Sequence, residues 1–136
     1  MRVMLLALAL VTISGCGGAS PAAPSPSPSP SNSPLTFAGS VNASGYTSHA
    51  ITVSGSGTMT VTLTWQSSLA DLDLYLTDQS CSAYPLLSCT VLEQSTAPTG
   101  SSESVSRSVN AGQTFKAWVD SYATASTPYT VSVTFR

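Results

Sequence analysis

Asp71 and Asp73 stand one residue apart in Asp-Leu-Asp-Leu-Tyr-Leu, and their type and spacing could carry chemistry. On a β-strand their Cα atoms would lie about 6.7 Å apart on one face. That arrangement suits a carboxylate pair for acid/base catalysis, or two ligands of a hard cation such as Ca²⁺ to which Asp78 or Asp120 would add oxygens. Catalysis also needs a cleft and environments that hold the two pKa values apart. The flanking leucines indicate only a strand face, so solvated outward carboxylates are the expectation. His49 is the single histidine and lies in phase with Ile51 and Val53, as a packed strand-end residue would. No Gly-x-Ser-x-Gly elbow presents a nucleophile to it, and too few nitrogen and sulfur donors remain for zinc. Cys81 and Cys89 enclose Ser-Ala-Tyr-Pro-Leu-Leu-Ser. In an oxidising compartment they are expected to form a disulfide contributing roughly 2–3 kcal/mol. Redox activity would call for Cys-x-x-Cys spacing instead. The stapled loop would carry Tyr84, Leu86 and Leu87 as a surface tip or as a cover over a sheet edge. Trp118 shares the phase of Lys116, Asp120 and Tyr122, opposite Phe115, Ala117 and Val119. Either it lies on a solvent-facing sheet, with Tyr122 and Tyr84 as further candidate ligand contacts, or a loop covers it.

The elements that must position these residues are strands. Met59, Val61, Leu63 and Trp65 alternate with four threonines, and the same period of two recurs over residues 72–76, 115–119 and 129–135. Weaker runs at residues 36–41, 49–53, 90–93 and 104–109 bring the expectation to about eight strands, with turns at residues 54–57 and 109–113. No convincing helical stripe follows the N-terminal apolar run. Short strands at such spacing predict an all-β, antiparallel β-sandwich or jelly roll over residues 35–136, with an immunoglobulin-type topology as the alternative. A segment of that length buries about 60–70% of its unfolded surface and needs no staple.

Only 7% of the residues are charged. Without residues 1–15, three cations (Arg107, Lys116, Arg136) face six acids, a balance of −3. Three scattered cations cannot neutralise a row of phosphates or hold an anionic bilayer, which excludes nucleic acid and electrostatic membrane docking.

Met1-Arg2 and the apolar run over residues 3–13 form a signal-type segment. Its rise of about 16 Å as a helix is too short for a hydrocarbon core of about 30 Å. The following Ile13-Ser14-Gly15-Cys16 resembles the bacterial lipobox, which implies removal of residues 1–15 and lipidation of Cys16 by acyl chains such as palmitate. Three cysteines are present, and pairing Cys81 with Cys89 leaves Cys16 for that role. The resemblance, with Gly17 rather than Asp after the cysteine, implies an address in the bacterial envelope at the outer membrane or cell surface. Residues 16–34 then form a linker: the stretch after Cys16 holds six prolines, mostly as Ser-Pro, and as polyproline II would span up to roughly 55 Å.

Residues 61–65, 71–76, 103–112, 115–120 and 128–133, taken in order, resemble the bacterial pre-peptidase C-terminal domain, a jelly-roll-like module carried by secreted peptidases. The likeness spans residues 36–135, and Trp65 followed by Asp-Leu-Asp-Leu-Tyr-Leu is its most distinctive part. It implies the fold, and it implies calcium at Asp71, Asp73 and Asp120, since some relatives bind that ion. No peptidase accompanies the domain here, and the cysteine insertion departs from the family's pattern. The expectation is therefore a lipid-anchored, non-catalytic binding or accessory module with a protein or carbohydrate ligand. The alternative is a structural envelope lipoprotein without a specific ligand.

Overall fold

The computed structural model describes residues 33–82 and 89–136. The signal segment, Cys16, nearly all of the linker, Tyr84, Leu86 and Leu87 lie outside the described residues. The domain consists of β1 (Leu35–Val41), β2 (Tyr46–Thr52), β3 (Gly57–Trp65), β4 (Leu72–Asp78), β5 (Val91–Ser95), β6 (Ser102–Val109), β7 (Thr114–Ser121) and β8 (Thr127–Phe135). Alternation becomes burial: Met59, Val61, Leu63 and Trp65 are buried while Thr58, Thr60, Thr62 and Thr64 are wholly or partly exposed. Strand β2 begins earlier than its apolar pattern announces. Tyr46, Thr47 and Ser48 precede the run over residues 49–53, yet they pair with Asp120, Val119 and Trp118 of β7.

Strands β1-β8-β3-β6 make one sheet and β2-β7-β4-β5 the other, with every pairing antiparallel. Successive strands switch sheets except at β4 and β5, which the cysteine loop joins. This is the double Greek-key order of a jelly roll. It excludes the immunoglobulin alternative, in which the third and sixth strands sit in the sheet opposite the first.

Between the sheets lies a dry layer built from Ile51, Met59, Leu63, Leu72, Leu74 and Leu76, none with measurable exposure, together with valines from β3, β7 and β8. Each such side chain contributes about 1.5–3 kcal/mol by leaving water. The two long sides of the sandwich are closed by different chemistry. On the β1/β2 side, the Phe37 ring stacks on His49 at 4.7 Å, and His49 Nε2 is hydrogen-bonded to the Tyr129 hydroxyl at 2.8 Å. On the β5/β6 side, buried Glu103 accepts hydrogen bonds from the Ser95 hydroxyl and the Ala97 N–H. Arg107 pairs with Glu93 on the same side at 3.0 Å.

Two glycines are required by close approaches. A Cβ at Gly39 would lie 2.9 Å from the Tyr129 hydroxyl, so its absence lets that ring cross β1 toward His49. Gly57 has φ of +149°, and a Cβ there would meet the carbonyl oxygen of Arg136 at 2.2 Å. That carbonyl accepts the Thr58 N–H, and the Arg136 N–H donates back to Thr58, which anchors the end of the chain beside β3. Gly57→Ala is therefore expected to destabilise the fold by about 1–3 kcal/mol through strain and displacement of the C-terminus. A lowered urea midpoint with an unchanged m-value checks this.

Candidate functional site

Of the residues singled out for chemistry, Asp73, Asp120 and Trp118 come together on the outward face of the β2-β7-β4-β5 sheet. Antiparallel register sets Tyr46, Asp120 and Asp73 in one row across β2, β7 and β4. Ser48, Trp118, Tyr75 and Gln94 form the next row. Phase thus points Asp73, Asp120 and Trp118 outward, as the pattern indicates. Exposure does not follow from phase.

Asp73 is only 7% exposed, which corrects the expectation of a solvated carboxylate there, and Asp120 is 5% exposed. The cause is side-chain length: tyrosines on neighbouring positions fold over the shorter aspartates. The Tyr75 hydroxyl donates to Asp73 Oδ2 at 3.0 Å, and Tyr122 is hydrogen-bonded to Asp120. Burial pushes the Asp73 carboxyl up to about 6, opposed by the Tyr75 hydrogen bond and assisted by the charges of Asp71, Asp120 and Glu103. The Asp120 charge beside Tyr122, more than burial, raises that phenol. Asp71 Oδ1 is buried and has no hydrogen-bond partner. Tyr46 and Tyr122, 51% and 59% exposed, flank the acidic row and make up the solvent-facing surface around it.

Trp118 is 4% exposed, so it is not an open platform. Its Nε1–H donates to Thr77 Oγ1 at 3.1 Å, the Lys116 ammonium lies 5.5 Å from the ring centroid, and Tyr46 tilts against it at 6.1 Å. These neighbours satisfy the indole and cover it. Lys116 also donates to the Cys81 carbonyl, tying the cysteine loop to the same sheet. Cys81 and Cys89 form the expected disulfide with Cα atoms 5.4 Å apart. The adjoining Asp78 accepts from the N–H and hydroxyl of Ser80, so it caps a turn away from Asp73.

The three aspartates proposed for calcium do not gather into a ready set of ligands. Among the described residues no three His, Cys, Asp or Glu side chains form a metal-holding group, and a phenol occupies Asp73 Oδ2. Acid/base chemistry finds no support either. None of Asp71, Asp73, Asp120 and His49 lines the three cavities, and the single histidine is spent on Phe37 and Tyr129, with its pKa lowered by burial. What the face offers is two exposed phenol rings around an acidic row, a surface for contact.

Sequence reasoning missed Tyr46, which carries no alternating neighbour, and the buried Glu103, whose phase with Val105 and Val109 was a usable signal.

No family model matches the chain. Solved structures share its fold. The Yersinia pseudotuberculosis-derived mitogen superposes with a TM-score of 0.56 at 11% identity, over 77% of this chain and 87% of its own. A periplasmic inhibitor of g-type lysozyme from Aeromonas hydrophila gives 0.55 at 12% identity, over 76% and 86%. The pre-peptidase C-terminal domain of a collagenase from Bacillus anthracis gives 0.54 at 14% identity, over 73% and 87%. The chain therefore contains an all-β jelly-roll domain like the pre-peptidase C-terminal domain, and the fold expected from that resemblance holds. Identities this low carry the fold alone.

A carboxyl raised in the folded state stabilises the protein below its unfolded value of 3.8, and that contribution is lost as pH rises through about 6. At pH 7 the ionised Asp73 is therefore a cost. Asp73→Asn is expected to raise stability at pH 7 by about 1–3 kcal/mol relative to wild type, with the advantage disappearing near pH 4. His49, whose lowered pKa costs stability as pH falls, contributes equally to both proteins and cancels in the difference. Urea titrations of the pair at several pH values measure it; an advantage that does not depend on pH would contradict the assignment.

Proposed function

We propose that the chain is a lipid-anchored, extracytoplasmic, non-catalytic binding module whose contact surface is the Tyr46–Tyr122 face. The exposed tyrosines flanking the row of Asp120 and Asp73 are the observation that carries this reading. Phenol rings offer large contact area at little entropic cost, and adjacent carboxylates favour a partner presenting lysine or arginine side chains. Such a partner is a basic segment of another protein. The scarcity of charge elsewhere on the chain makes this face its main electrostatic feature.

The N-terminal sequence supports a location. Lipidated Cys16 would hold the module in the bacterial envelope, at the outer membrane or cell surface, and the Ser-Pro linker would carry it clear of the bilayer. The solved structures sharing the fold include a lysozyme inhibitor and a domain appended to a collagenase, both consistent with accessory roles.

Two measurements test the reading. Mass spectrometry of the mature protein is expected to find residue 16 as the acylated N-terminus, whereas an N-terminus elsewhere or an unmodified thiol removes the anchor. In biolayer interferometry, lysine-rich peptides are expected to bind the chain from residue 17 onward, and binding should weaken as salt rises. Tyr122→Ala should weaken it about tenfold or more while leaving thermal stability nearly unchanged. Trp118→Ala should instead destabilise the fold by about 3–5 kcal/mol, since it empties a covered site.

A further inference from the structure

At the end of the sandwich, where the loops bearing Asp71 and Tyr122 meet through the Tyr122 N–H and the Asp71 carbonyl, two cavities abut and share Gln66 and Pro128. The larger, about 400 Å³, lies between the loop joining β3 to β4 and the loop joining β7 to β8. Its size falls within the roughly 300–1,000 Å³ of small-ligand sites. The smaller, about 280 Å³, continues over the ends of β3 and β8, where Trp65 and Tyr129 are direct cross-strand neighbours. Neither cavity is lined by an acidic or basic side chain. The larger one alternates small apolar surfaces, such as Ala70 and Ala125, with the hydroxyls of Ser67, Thr124 and Ser126.

We propose that this groove binds an uncharged oligosaccharide, independently of the tyrosine face. A pyranose ring has apolar C–H faces and a rim of hydroxyls, and the groove pairs the exposed apolar surface of Leu69, Ala125 and Pro128 with hydroxyls and one amide. The absence of charge disfavours anionic and cationic ligands, whose desolvation would go uncompensated. A peptide strand is a poorer match because the nearby backbone is already committed. The Trp65 N–H donates to Ser101, the Ala70 N–H to Ser67, and the Ala70 carbonyl accepts the Trp65 indole at 2.9 Å. Side-chain hydroxyls and Gln66 are the groups left to read a ligand, and these suit sugar hydroxyls.

The chain's two tryptophans report on the two surfaces separately. The Trp65 indole N–H is held by Ala70 beside the groove, and that of Trp118 by Thr77 beneath the tyrosine face. Proton–nitrogen NMR spectra of the chain from residue 17 onward would be recorded during titration with chitotetraose, cellotetraose, mannotetraose and a blocked alanine-serine peptide. At least one glycan is expected to move the Trp65 indole signal saturably while that of Trp118 stays in place. Gln66→Ala is expected to weaken the response about three- to tenfold, the loss of one neutral hydrogen bond. Ala125→Phe, at an exposed rim position, should fill the groove and weaken it by more than tenfold. Should that variant fail to fold, the exposed Gln66→Ala still carries the test. The proposal is overturned if no glycan gives a saturable shift, if only the Trp118 signal moves, or if the peptide alone is bound.

Discussion

Everything in this domain depends on the dry layer between its two sheets. Side chains of β3, β4, β7 and β8 interdigitate there with almost no exposure, and their removal from water is the largest favourable contribution the chain has. Because strand side chains alternate, burying one row forces the other outward on both sheets. The inner rows therefore leave the outer ones free to differ in chemistry.

They differ sharply. The outer face of the β1-β8-β3-β6 sheet is lined by threonine and serine, with cross-strand hydroxyl pairs such as Thr60 with Ser106 at 2.9 Å and Thr62 with Ser104 at 3.1 Å. The outer face of the opposite sheet brings Asp73 and Asp120 side by side, with Asp71 just before β4, among tyrosines and a covered indole. Several of the remaining charges tie elements together: Glu103 and the Glu93–Arg107 pair link β5 to β6, and Lys116 holds the cysteine loop. A chain with so few charged side chains uses many of them at joints, and the acidic row stands out against that background.

The jelly roll says little about what is bound, because one fold hosts many functions. Its geometry does provide two adjoining surfaces of different kinds. Strand faces offer flat contact areas such as the tyrosine row, whereas strand ends and their loops enclose a charge-free groove.

Alternation marked four strands, since period two follows directly from the geometry of extended chain, and weaker runs marked the other four; residues 59–65 and 129–135 are the clearest cases. Cysteine spacing was enough for the disulfide, because only a short loop separates the two thiols. The strand character of Tyr46 to Ser48 was hidden, as it comes from pairing with β7 rather than from local pattern. Tertiary structure alone decided exposure. Asp73 and Trp118 point outward as their phase requires, but neighbours three strands wide cover them, and which side chain overhangs which depends on register between segments some 45 residues apart in sequence. The joining of Gln66 to Pro128 across one end of the sandwich was equally beyond local reading. Local sequence sets which way a side chain points; only the packed sheet sets what lies on top of it.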